Sequence, residues 1–287
     1  MKGIRFLAKT KEASWLARFI APCTKFKLTH NKWSLVVIMR DHPWYLEYKK
    51  NPHAAMRLFC FHHSGGGTSA YFPWLEYLSP HIEMIAIQMP GRENRFSEPL
   101  TNNLTDIVNT LKEGFELYKD KPFFTFGHSL GGVISFEFIK SVMKFYSLTP
   151  LHMMISATKA PHFPFRMKQL SQLGDKPLKE ELRAYNGIDE RILESDELLE
   201  LFLPIIKSDF SITESYRSTD STVLPCDILV FSGNEDPTVN MEEIQGWSSY
   251  TTGKFKHISF SGGHFFVKEH QKSIVSHINR LAEQYVQ

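Results

Sequence analysis

Short apolar runs alternate with longer amphipathic stretches along the chain from about residue 57 onward. Six of these runs have the length and composition of buried strands, and the stretches between them have helical spacing. Strands that alternate with helices are joined by crossover connections, which produce a mostly parallel sheet covered by helices on both faces. The sequence therefore predicts an α/β fold. Its strands are expected at residues 57–61, 84–89, 122–126, 152–156, 227–232 and 255–260.

One long segment, at about residues 161–224, interrupts this alternation. It contains only helical patterns, and its stretch at residues 198–206 is unusually apolar. An insertion at this place in the chain would lie above the carboxyl ends of the strands and form a lid. The alternative is that these apolar residues extend the core, because a leucine-rich helix is more often part of a core.

The first 40 residues differ from the rest in charge. Residues 1–38 carry six Lys and two Arg but the single acid Glu12. Basic termini occur as transit peptides and membrane-surface segments, and more often as flexible solvated arms. A further hypothesis is that the natural protein begins at Met39. We therefore expect a separate extension at residues 1–40 and one large domain at residues 41–287.

The composition is that of an ordinary globular chain, with 42% hydrophobic and 22% charged residues among 287. A net charge of +2 gives no reason to expect a nucleic-acid partner. No apolar run approaches the ~20 residues of a membrane-spanning helix, and the start does not resemble a secretory signal. Three widely spaced cysteines suit a reducing compartment better than a disulfide framework or a zinc site. We expect a cytoplasmic protein without a membrane span.

The clearest chemical signal is the pentapeptide Gly127-His128-Ser129-Leu130-Gly131, between a predicted strand and an apolar helical stretch. A serine on such a tight turn has a strained backbone. Side chains two residues to either side would collide with neighbouring elements, which explains both glycines. The pentapeptide alone is common by chance, so the rest of the chain must support it. Ser129 is the candidate nucleophile.

A serine hydroxyl needs a base within hydrogen-bond distance and a third group that orients the base. Among thirteen histidines, His264 is the best placed, because it follows the last predicted strand in a glycine-containing loop. Without a partner it would be an ordinary surface-loop histidine. His128 is a weaker candidate, because neighbours on a sharp turn point apart. We expect it to pack beside Ser129.

Asp236 is the candidate acid, since it lies in the loop directly after the predicted strand at residues 227–232. The order Ser, Asp, His, with acid and base each just beyond a strand, is the order of the α/β-hydrolase fold. Glu235 is a local alternative, and Asp209 and Asp227 are distant ones. An aspartate before proline also commonly forms a turn without further function.

Acyl transfer requires backbone N–H groups that stabilise the oxyanion. One is expected from Leu130, at the start of the helix after the serine. The other is expected from Ser64, in the glycine-rich loop at residues 62–67, which we call the oxyanion loop. Such a loop could instead bind a phosphate, but the chain lacks both common phosphate-binding glycine patterns, or it could simply form a turn.

Together these residues resemble the type II thioesterases that accompany nonribosomal peptide and polyketide synthetases. The likeness covers about residues 43–285, and two motifs carry it most specifically. They are Pro90-Gly91-Arg92-Glu93 and Gly262-Gly263-His264-Phe265-Phe266. The resemblance implies an α/β-hydrolase fold with a helical lid, in which Ser129 is the nucleophile, Asp236 the acid and His264 the base.

The resemblance also implies a substrate and a partner. Enzymes of this family hydrolyse acyl, aminoacyl or short peptidyl thioesters on the phosphopantetheine arm of a carrier protein, and so remove misprimed or stalled groups. We expect the same reaction here, with a phosphopantetheinylated acyl or peptidyl carrier protein as partner. We expect no metal and no organic cofactor, and we expect a monomer.

Three positions depart from the family pattern. His62 stands where the family usually has proline, Lys207-Ser208 replaces a common Arg-Ala, and Thr158-Lys159 stands where an arginine is frequent. The first bears on the rigidity of the oxyanion loop. The other two bear on lid and substrate contacts.

Two alternatives stay open at this point. Within the enzymes, the chain could be a medium-chain fatty acyl carrier-protein hydrolase or a small-molecule esterase. Outside them, it could be a non-catalytic binding protein with a hydrolase-like fold, although the order of Ser129, Asp236 and His264 favours catalysis.

Overall fold

The computed structural model describes residues 42–165, 168–185, 190–218 and 221–286. The expected extension at residues 1–40 and the hypothesis of a start at Met39 lie outside the described residues. Every predicted strand and every candidate site residue lies within them.

Seven strands in the described residues form one sheet. They are β1 (Tyr45–Glu47), β2 (Met56–Phe61), β3 (Ile82–Ile87), β4 (Phe123–His128), β5 (His152–Ser156), β6 (Asp227–Gly233) and β7 (Phe255–Phe260). Their order across the sheet is β1-β3-β2-β4-β5-β6-β7. Neighbours from β3 to β7 are parallel, and β1 is antiparallel to β3. All six predicted strands are present, which confirms the mostly parallel α/β fold.

The predicted bounds of the second strand need correction, because β3 begins two residues earlier and includes Glu83. A charged residue argues against a buried strand unless it has a partner. Here Glu83 Oε2 accepts a hydrogen bond from Arg57 Nε at 2.9 Å, and neither side chain is more than 1% exposed. Strand β4 likewise continues past the predicted residue 126, and so reaches the residue before Ser129.

The edge strand β1 is missing from the predicted set, because three residues are too few to show a period. Contacts remote in sequence stabilise it. The Tyr45 ring stacks on the Tyr118 ring with 4.9 Å between centroids, and the Tyr118 hydroxyl donates to Glu47 Oε1 at 3.1 Å. The remote partners, rather than the local pattern, account for the strand.

Helices cover both faces of the sheet. They are α1 (Leu104–Phe115), α2 (Leu130–Tyr146), α3 (Asp175–Tyr185), α4 (Glu190–Glu194), α5 (Asp196–Ser215), α6 (Met241–Gln245), α7 (Phe266–Glu269) and α8 (Gln271–Glu283). Strand β2 shows the two-sided burial, because its side chains alternate between faces. Phe59 and Phe61 join the apolar cluster of α1 and α2, whereas Leu58 and Cys60 join that of α8.

The segment between β5 and β6 contains helices α3, α4 and α5 and no strand among its described residues. We call it the helical insertion. Its leucines form a separate apolar cluster that includes Leu178, Leu199 and Leu203, and Ile212 at the far end of α5 joins the main core. The apolar stretch of α5 therefore mostly fills the insertion itself, and the alternative that it extends the main core holds only at that end.

Parallel strands place the loops that follow them at one edge of the sheet. Strand β2 has β3 on one side and β4 on the other, so the chain changes direction across the sheet between β2 and β4. Such a switch point is where open α/β sheets bind ligands. The oxyanion loop follows β2 and Ser129 follows β4, so both lie at this point. Among the helices that the structure describes, none is both long and apolar enough to span a bilayer.

Candidate active site

Ser129 occupies a strained turn between β4 and α2. Its φ of 55° and ψ of −117° lie in a region that non-glycine residues rarely adopt. A Cβ at position 127 would lie 2.2 Å from the Gly131 carbonyl oxygen, and one at position 131 would lie 2.0 Å from the Phe61 carbonyl oxygen. Both contacts are with backbone, which cannot rotate away. Glycine is therefore required at both positions, as the sequence predicts.

Neighbouring strands fix the backbone of this turn. The Ser129 N–H donates to the Ser156 carbonyl at 2.9 Å, and the Ser129 carbonyl accepts from Thr158 Oγ1 at 2.9 Å. Thr158 is in turn held by Trp247, whose Nε1–H donates to the Thr158 carbonyl at 2.8 Å. These contacts stabilise an otherwise unfavourable conformation.

His264 and Asp236 lie together on the loops that follow β7 and β6. The distance from His264 Nδ1 to Asp236 Oδ2 is 2.8 Å, and both residues are less than a tenth exposed. A carboxylate at Nδ1 keeps the proton on that nitrogen, so Nε2 is the nitrogen that carries the lone pair. His264 is thereby prepared to accept a proton at Nε2.

Thr238 completes this arrangement and was not among the predicted residues. Its N–H donates to Asp236 Oδ1 at 2.8 Å, and its Oγ1 lies 2.9 Å from His264 Nδ1. Burial raises the pKa of Asp236, but hydrogen bonds from His264 and Thr238 outweigh it and lower that pKa below its ordinary value. The carboxylate stays ionised at neutral pH. The only sequence signal was the turn that Asp236 begins.

Ser129, His264 and Ser64 line one cavity of about 120 Å³. Aromatic and aliphatic side chains form much of the rest of its wall, beside polar ones such as Lys159 and Glu243. The apolar ones include Val133, Phe163, Phe165, Phe210 and Val239. A thioester carbonyl at the serine would therefore place its acyl group in a mostly apolar chamber.

A larger open groove of about 1010 Å³ runs along α1, α2 and the end of α5. Its lining includes Asn103, Lys140 and Arg217 and none of the predicted site residues. The small cavity is the better candidate, because the strained serine and the histidine that contacts Asp236 both line it. Among the described residues, no cluster of His, Cys, Asp and Glu side chains has the arrangement of a metal site.

One expected oxyanion donor follows the serine in the chain, and the other lines the same cavity. Leu130 is the first residue of α2, where backbone N–H groups have no partner within the helix and the dipole favours negative charge. Ser64 lies in the oxyanion loop, and the turn around it is closed by the Gly66 N–H, which donates to the His63 carbonyl at 3.0 Å. The Gly65 N–H already donates to Asp209, so the loop lacks the open row of donors that a phosphate needs.

His128 packs beside the serine, as its place in the pentapeptide indicates. Its Nδ1 lies 2.9 Å from Ser156 Oγ, and the residue is 1% exposed. Burial holds its pKa well below the ordinary value, and the neighbouring His264 and His63 lower that pKa further. A ring with so low a pKa is a poor proton acceptor at neutral pH, so His128 is a poor candidate for the base.

The alternative acids are engaged elsewhere or face solvent. Glu235 is exposed, and Asp227 lies at the start of β6, where its Oδ1 accepts from the Lys254 N–H at 2.7 Å. Asp209 is buried and bonded to Arg92. Asp236 is the candidate acid that contacts His264 in the described structure.

His62, where the family usually has proline, is also buried. Its Nδ1–H donates to the His63 carbonyl at 2.9 Å, which stabilises the start of the oxyanion loop. Burial lowers the pKa of His62 to about 4, and the nearby Arg92 guanidinium adds to the effect. The ring is therefore neutral at physiological pH.

The chain is similar to known proteins over most of its length. Residues 56–282 match the family model described as Thioesterase domain. The chain is 32% identical to the gramicidin S biosynthesis protein GrsT of Aneurinibacillus migulanus, over 84% of this chain and 94% of that protein. It is 30% identical to the human medium-chain S-acyl fatty acid synthase thioesterase, over 82% of this chain and 90% of that protein.

A solved structure agrees with these sequence matches. The type II thioesterase BorB from the borrelidin biosynthetic cluster superposes with a TM-score of 0.78 at 30% identity, covering 85% of this chain and 99% of that chain. The similarity thus extends from the sequence to the arrangement of the sheet and its helices.

Proposed function

This chain belongs to the thioesterase family, and we propose that it hydrolyses acyl and aminoacyl thioesters on the phosphopantetheine arm of carrier proteins in nonribosomal peptide or polyketide synthesis. Ser129 is the nucleophile, His264 the general base and Asp236 the acid that orients the base. The observation that carries the proposal is the 2.8 Å contact between His264 Nδ1 and Asp236 Oδ2 in the cavity of the strained serine.

Acylation begins when His264 Nε2 takes the proton of Ser129 Oγ as that oxygen attacks the thioester carbonyl carbon. Negative charge develops on the carbonyl oxygen, and the N–H groups of Ser64 and Leu130 donate to it. When the tetrahedral intermediate collapses, the C–S bond breaks. The pantetheine thiol leaves with the proton from His264, and Asp236 has stabilised the imidazolium in between.

Deacylation repeats these steps with water. The water gives a proton to His264 Nε2 while its oxygen attacks the acyl-serine carbonyl, and the same N–H groups hold the oxyanion. The bond to Ser129 Oγ then breaks, the proton returns to that oxygen and the free acid leaves. The residues named supply every proton transfer in this cycle.

The proposed substrate class draws on the relatives and on the cavity. GrsT is named for gramicidin S biosynthesis and BorB comes from the borrelidin cluster, so relatives serve pathways that assemble products from carrier-bound units. The cavity of about 120 Å³ is smaller than the roughly 300–1,000 Å³ of common small-molecule pockets, which favours a short acyl or aminoacyl group. We therefore propose editing of short groups rather than release of long chains.

The alternatives stand differently after these findings. A non-catalytic binding protein is not retained, because the chain belongs to a family of thioesterases. A medium-chain fatty acyl hydrolase is less favoured, because the cavity is small and the mammalian relative is slightly less similar than GrsT. We further propose a cytoplasmic location, which the unpaired thiols of Cys60 and Cys226 support.

Release rates from a panel of acylated carrier proteins test the proposal. We expect acetyl and aminoacyl groups to be released at least about tenfold faster than an octanoyl group on the same carrier. Ser129→Ala should lower the rate by about 10⁴-fold or more, whereas Ser141→Ala, on the same helix but outside the cavity, should keep it. Faster release of octanoate than of the short groups would favour a medium-chain hydrolase. Faster hydrolysis of simple oxygen esters than of any carrier-bound thioester would favour a small-molecule esterase.

A further inference from the structure

A buried ion pair connects the helical insertion to the loop before α1. Arg92 Nη1 lies 2.6 Å from Asp209 Oδ2, and Arg92 Nη2 lies 2.8 Å from Asp209 Oδ1, so the contact is bidentate. Asp209 is fully buried on α5, and Arg92 is 3% exposed. Such pairs are stable only with good geometry and further hydrogen bonds, so their other partners are informative.

Those other partners lie in the oxyanion loop. Asp209 Oδ2 also accepts the Gly65 N–H at 2.8 Å, and Arg92 Nη1 also donates to the Gly66 carbonyl at 3.1 Å. Both contacts are with backbone atoms directly after Ser64, the proposed oxyanion donor. The ion pair therefore fixes the backbone on which the Ser64 N–H is carried.

The insertion also packs tightly against this loop. Gly65 has a φ of +71°, and a Cβ there would lie 2.8 Å from Cγ1 of Ile206, one turn before Asp209 on α5. No space separates the loop from the helix at this point. A displacement of α5 would therefore move Gly65 and Ser64 with it, or would break the ion pair.

The residue after Arg92 fixes the chain directly beyond the same loop. Glu93 Oε2 accepts from Thr68 Oγ1 at 2.6 Å, and Glu93 Oε1 accepts from the Ser69 N–H at 3.0 Å. The motif Pro90-Gly91-Arg92-Glu93 thus places two adjacent charged side chains on the loop and on the residues that follow it. This gives a physical role to a motif that the reaction itself does not use.

We infer that Arg92 and Asp209 are positioning residues, which set the place of the Ser64 N–H relative to Ser129 and so couple the position of the helical insertion to stabilisation of the oxyanion. The inference rests on the proposed function, because it takes Ser64 as an oxyanion donor. An oxyanion site requires donors within a few tenths of an ångström of their productive position. A loop released from α5 would lose that accuracy while the substrate could still enter the cavity.

A role through charge alone makes a different prediction. If the pair acted only by its field, Arg92→Lys would change little, because the charge is kept. Asp209→Asn would then strengthen oxyanion binding, because it leaves an extra positive charge nearby. A positioning role predicts that both variants weaken oxyanion stabilisation, since lysine cannot bond the carboxylate and the Gly66 carbonyl in the same planar geometry.

The experiment compares Arg92→Lys and Asp209→Asn with Glu83→Gln as a control. Glu83→Gln disrupts the Arg57–Glu83 pair, which is equally buried but lies near the amino ends of β2 and β3, away from the oxyanion loop. We measure kcat and KM with p-nitrophenyl acetate, and the inhibition constant of an acyl trifluoromethyl ketone, which forms a tetrahedral adduct with the serine. For both site variants we expect kcat to fall about tenfold or more with KM within about threefold, and the inhibitor to weaken in parallel.

The control separates positioning from loss of stability. Glu83→Gln should lower the melting temperature to a similar extent but keep kcat and the inhibition constant within about twofold. Site variants that lose stability but keep kcat and inhibitor affinity would overturn the inference. Should Asp209→Asn fail to fold, Arg92→Lys still decides, because it leaves the buried carboxylate paired with a positive charge.

The same design keeps the two proposals apart. If the wild-type enzyme releases no group from any carrier protein, the proposed function fails. Ester hydrolysis and ketone binding do not require a carrier protein, so they still test the inference. If the wild-type enzyme does release groups from carrier proteins, but both variants bind the ketone as tightly as the wild type, the inference alone is overturned.

Discussion

The two sides of the cavity are built in different ways. On one side the turn that bears Ser129 depends on Gly127 and Gly131, because a Cβ at either position would lie only 2.2 or 2.0 Å from a backbone carbonyl oxygen. On the other side the oxyanion loop is fixed by Asp209, which lies 144 positions from Gly65 in the sequence. The first side depends on steric fit at two glycines and the second on a buried charge.

This difference shows where each side is vulnerable. A local steric constraint fails completely when a Cβ is added, because backbone atoms cannot move aside. A remote polar constraint can weaken by degrees, because side chains and loops adjust. We therefore expect substitutions at the serine turn to abolish activity completely or not at all, and those in the oxyanion loop and its partners to reduce it by degrees.

Gly131→Ala tests the steric side and has the largest expected effect. Its Cβ would lie 2.0 Å from the Phe61 carbonyl oxygen, so we expect the free energy of unfolding to fall by about 3 kcal/mol or more and activity to be lost. Denaturant unfolding followed by tryptophan fluorescence measures this. Gly174→Ala is the matched control, because the nearest heavy atom would be 3.8 Å away and stability should change by about 0.5 kcal/mol at most. A stable, active Gly131→Ala enzyme would contradict the steric account.

Asp236→Asn tests the histidine–aspartate pair, which belongs to neither the serine turn nor the oxyanion loop. Asparagine keeps the shape but cannot hold the His264 proton on Nδ1 or stabilise the imidazolium, so kcat should fall by about 10⁴-fold with the fold intact. Steady-state kinetics and a thermal melt provide the measurement. Asp227→Asn, at the other end of β6, should retain activity within about twofold. Substantial activity in Asp236→Asn would assign the acid to another residue.

Acid sensitivity should reveal the buried histidine of the oxyanion loop. His62 has a pKa of about 4 in the folded chain and about 6.5 when unfolded, so below pH 6.5 the unfolded chain binds a proton that the folded chain does not. Stability therefore falls as the pH drops from 6.5 towards 4, by about 3 kcal/mol from this residue.

His62→Asn should remove that part of the pH dependence, because its amide can still donate to the His63 carbonyl but does not titrate. Urea unfolding at pH 7 and pH 4.5 measures the change, and His81→Gln at an exposed position is the control that should behave as wild type. An unchanged pH dependence in His62→Asn would show that another group is responsible.

Thr238→Val has the smallest expected effect. It removes the contact between Oγ1 and His264 Nδ1 but keeps the N–H that donates to Asp236. Loss of one hydrogen bond worth about 1 kcal/mol should lower kcat by about fivefold. Thr110→Val, at a partly exposed position on α1, should leave kcat unchanged. A drop as large as that of Asp236→Asn would mean that Thr238 fixes the whole acid–base pair.

The same contrast explains what could be predicted from the sequence. The six strands, the serine turn and the contact between His264 and Asp236 all follow from local patterns or from the rule that parallel strands end at one edge. The glycines on either side of Ser129 were enough to predict the serine turn. His264 and Asp236 could be predicted because each follows a strand. Such signals lie within a few residues of the feature that they predict.

The features that were missed depend on residues far apart in the chain. Strand β1 is held by Tyr118, and the partnership of Arg92 with Asp209 joins two segments with no shared pattern. Thr238 lies near Asp236 in sequence, but only the folded loop brings its hydroxyl to His264. Asp209 appeared as a distant rival for the acid, whereas its buried partner gives it a different role.

The most direct test of the account is rapid-quench mass spectrometry of the enzyme mixed with an acetylated carrier protein. We expect an acetyl group on the peptide that contains Ser129 before free acetate accumulates, and no such adduct in Ser129→Ala. Free acetate produced at the wild-type rate without a Ser129 adduct, or by Ser129→Ala, would contradict the central claim that this serine carries the acyl group.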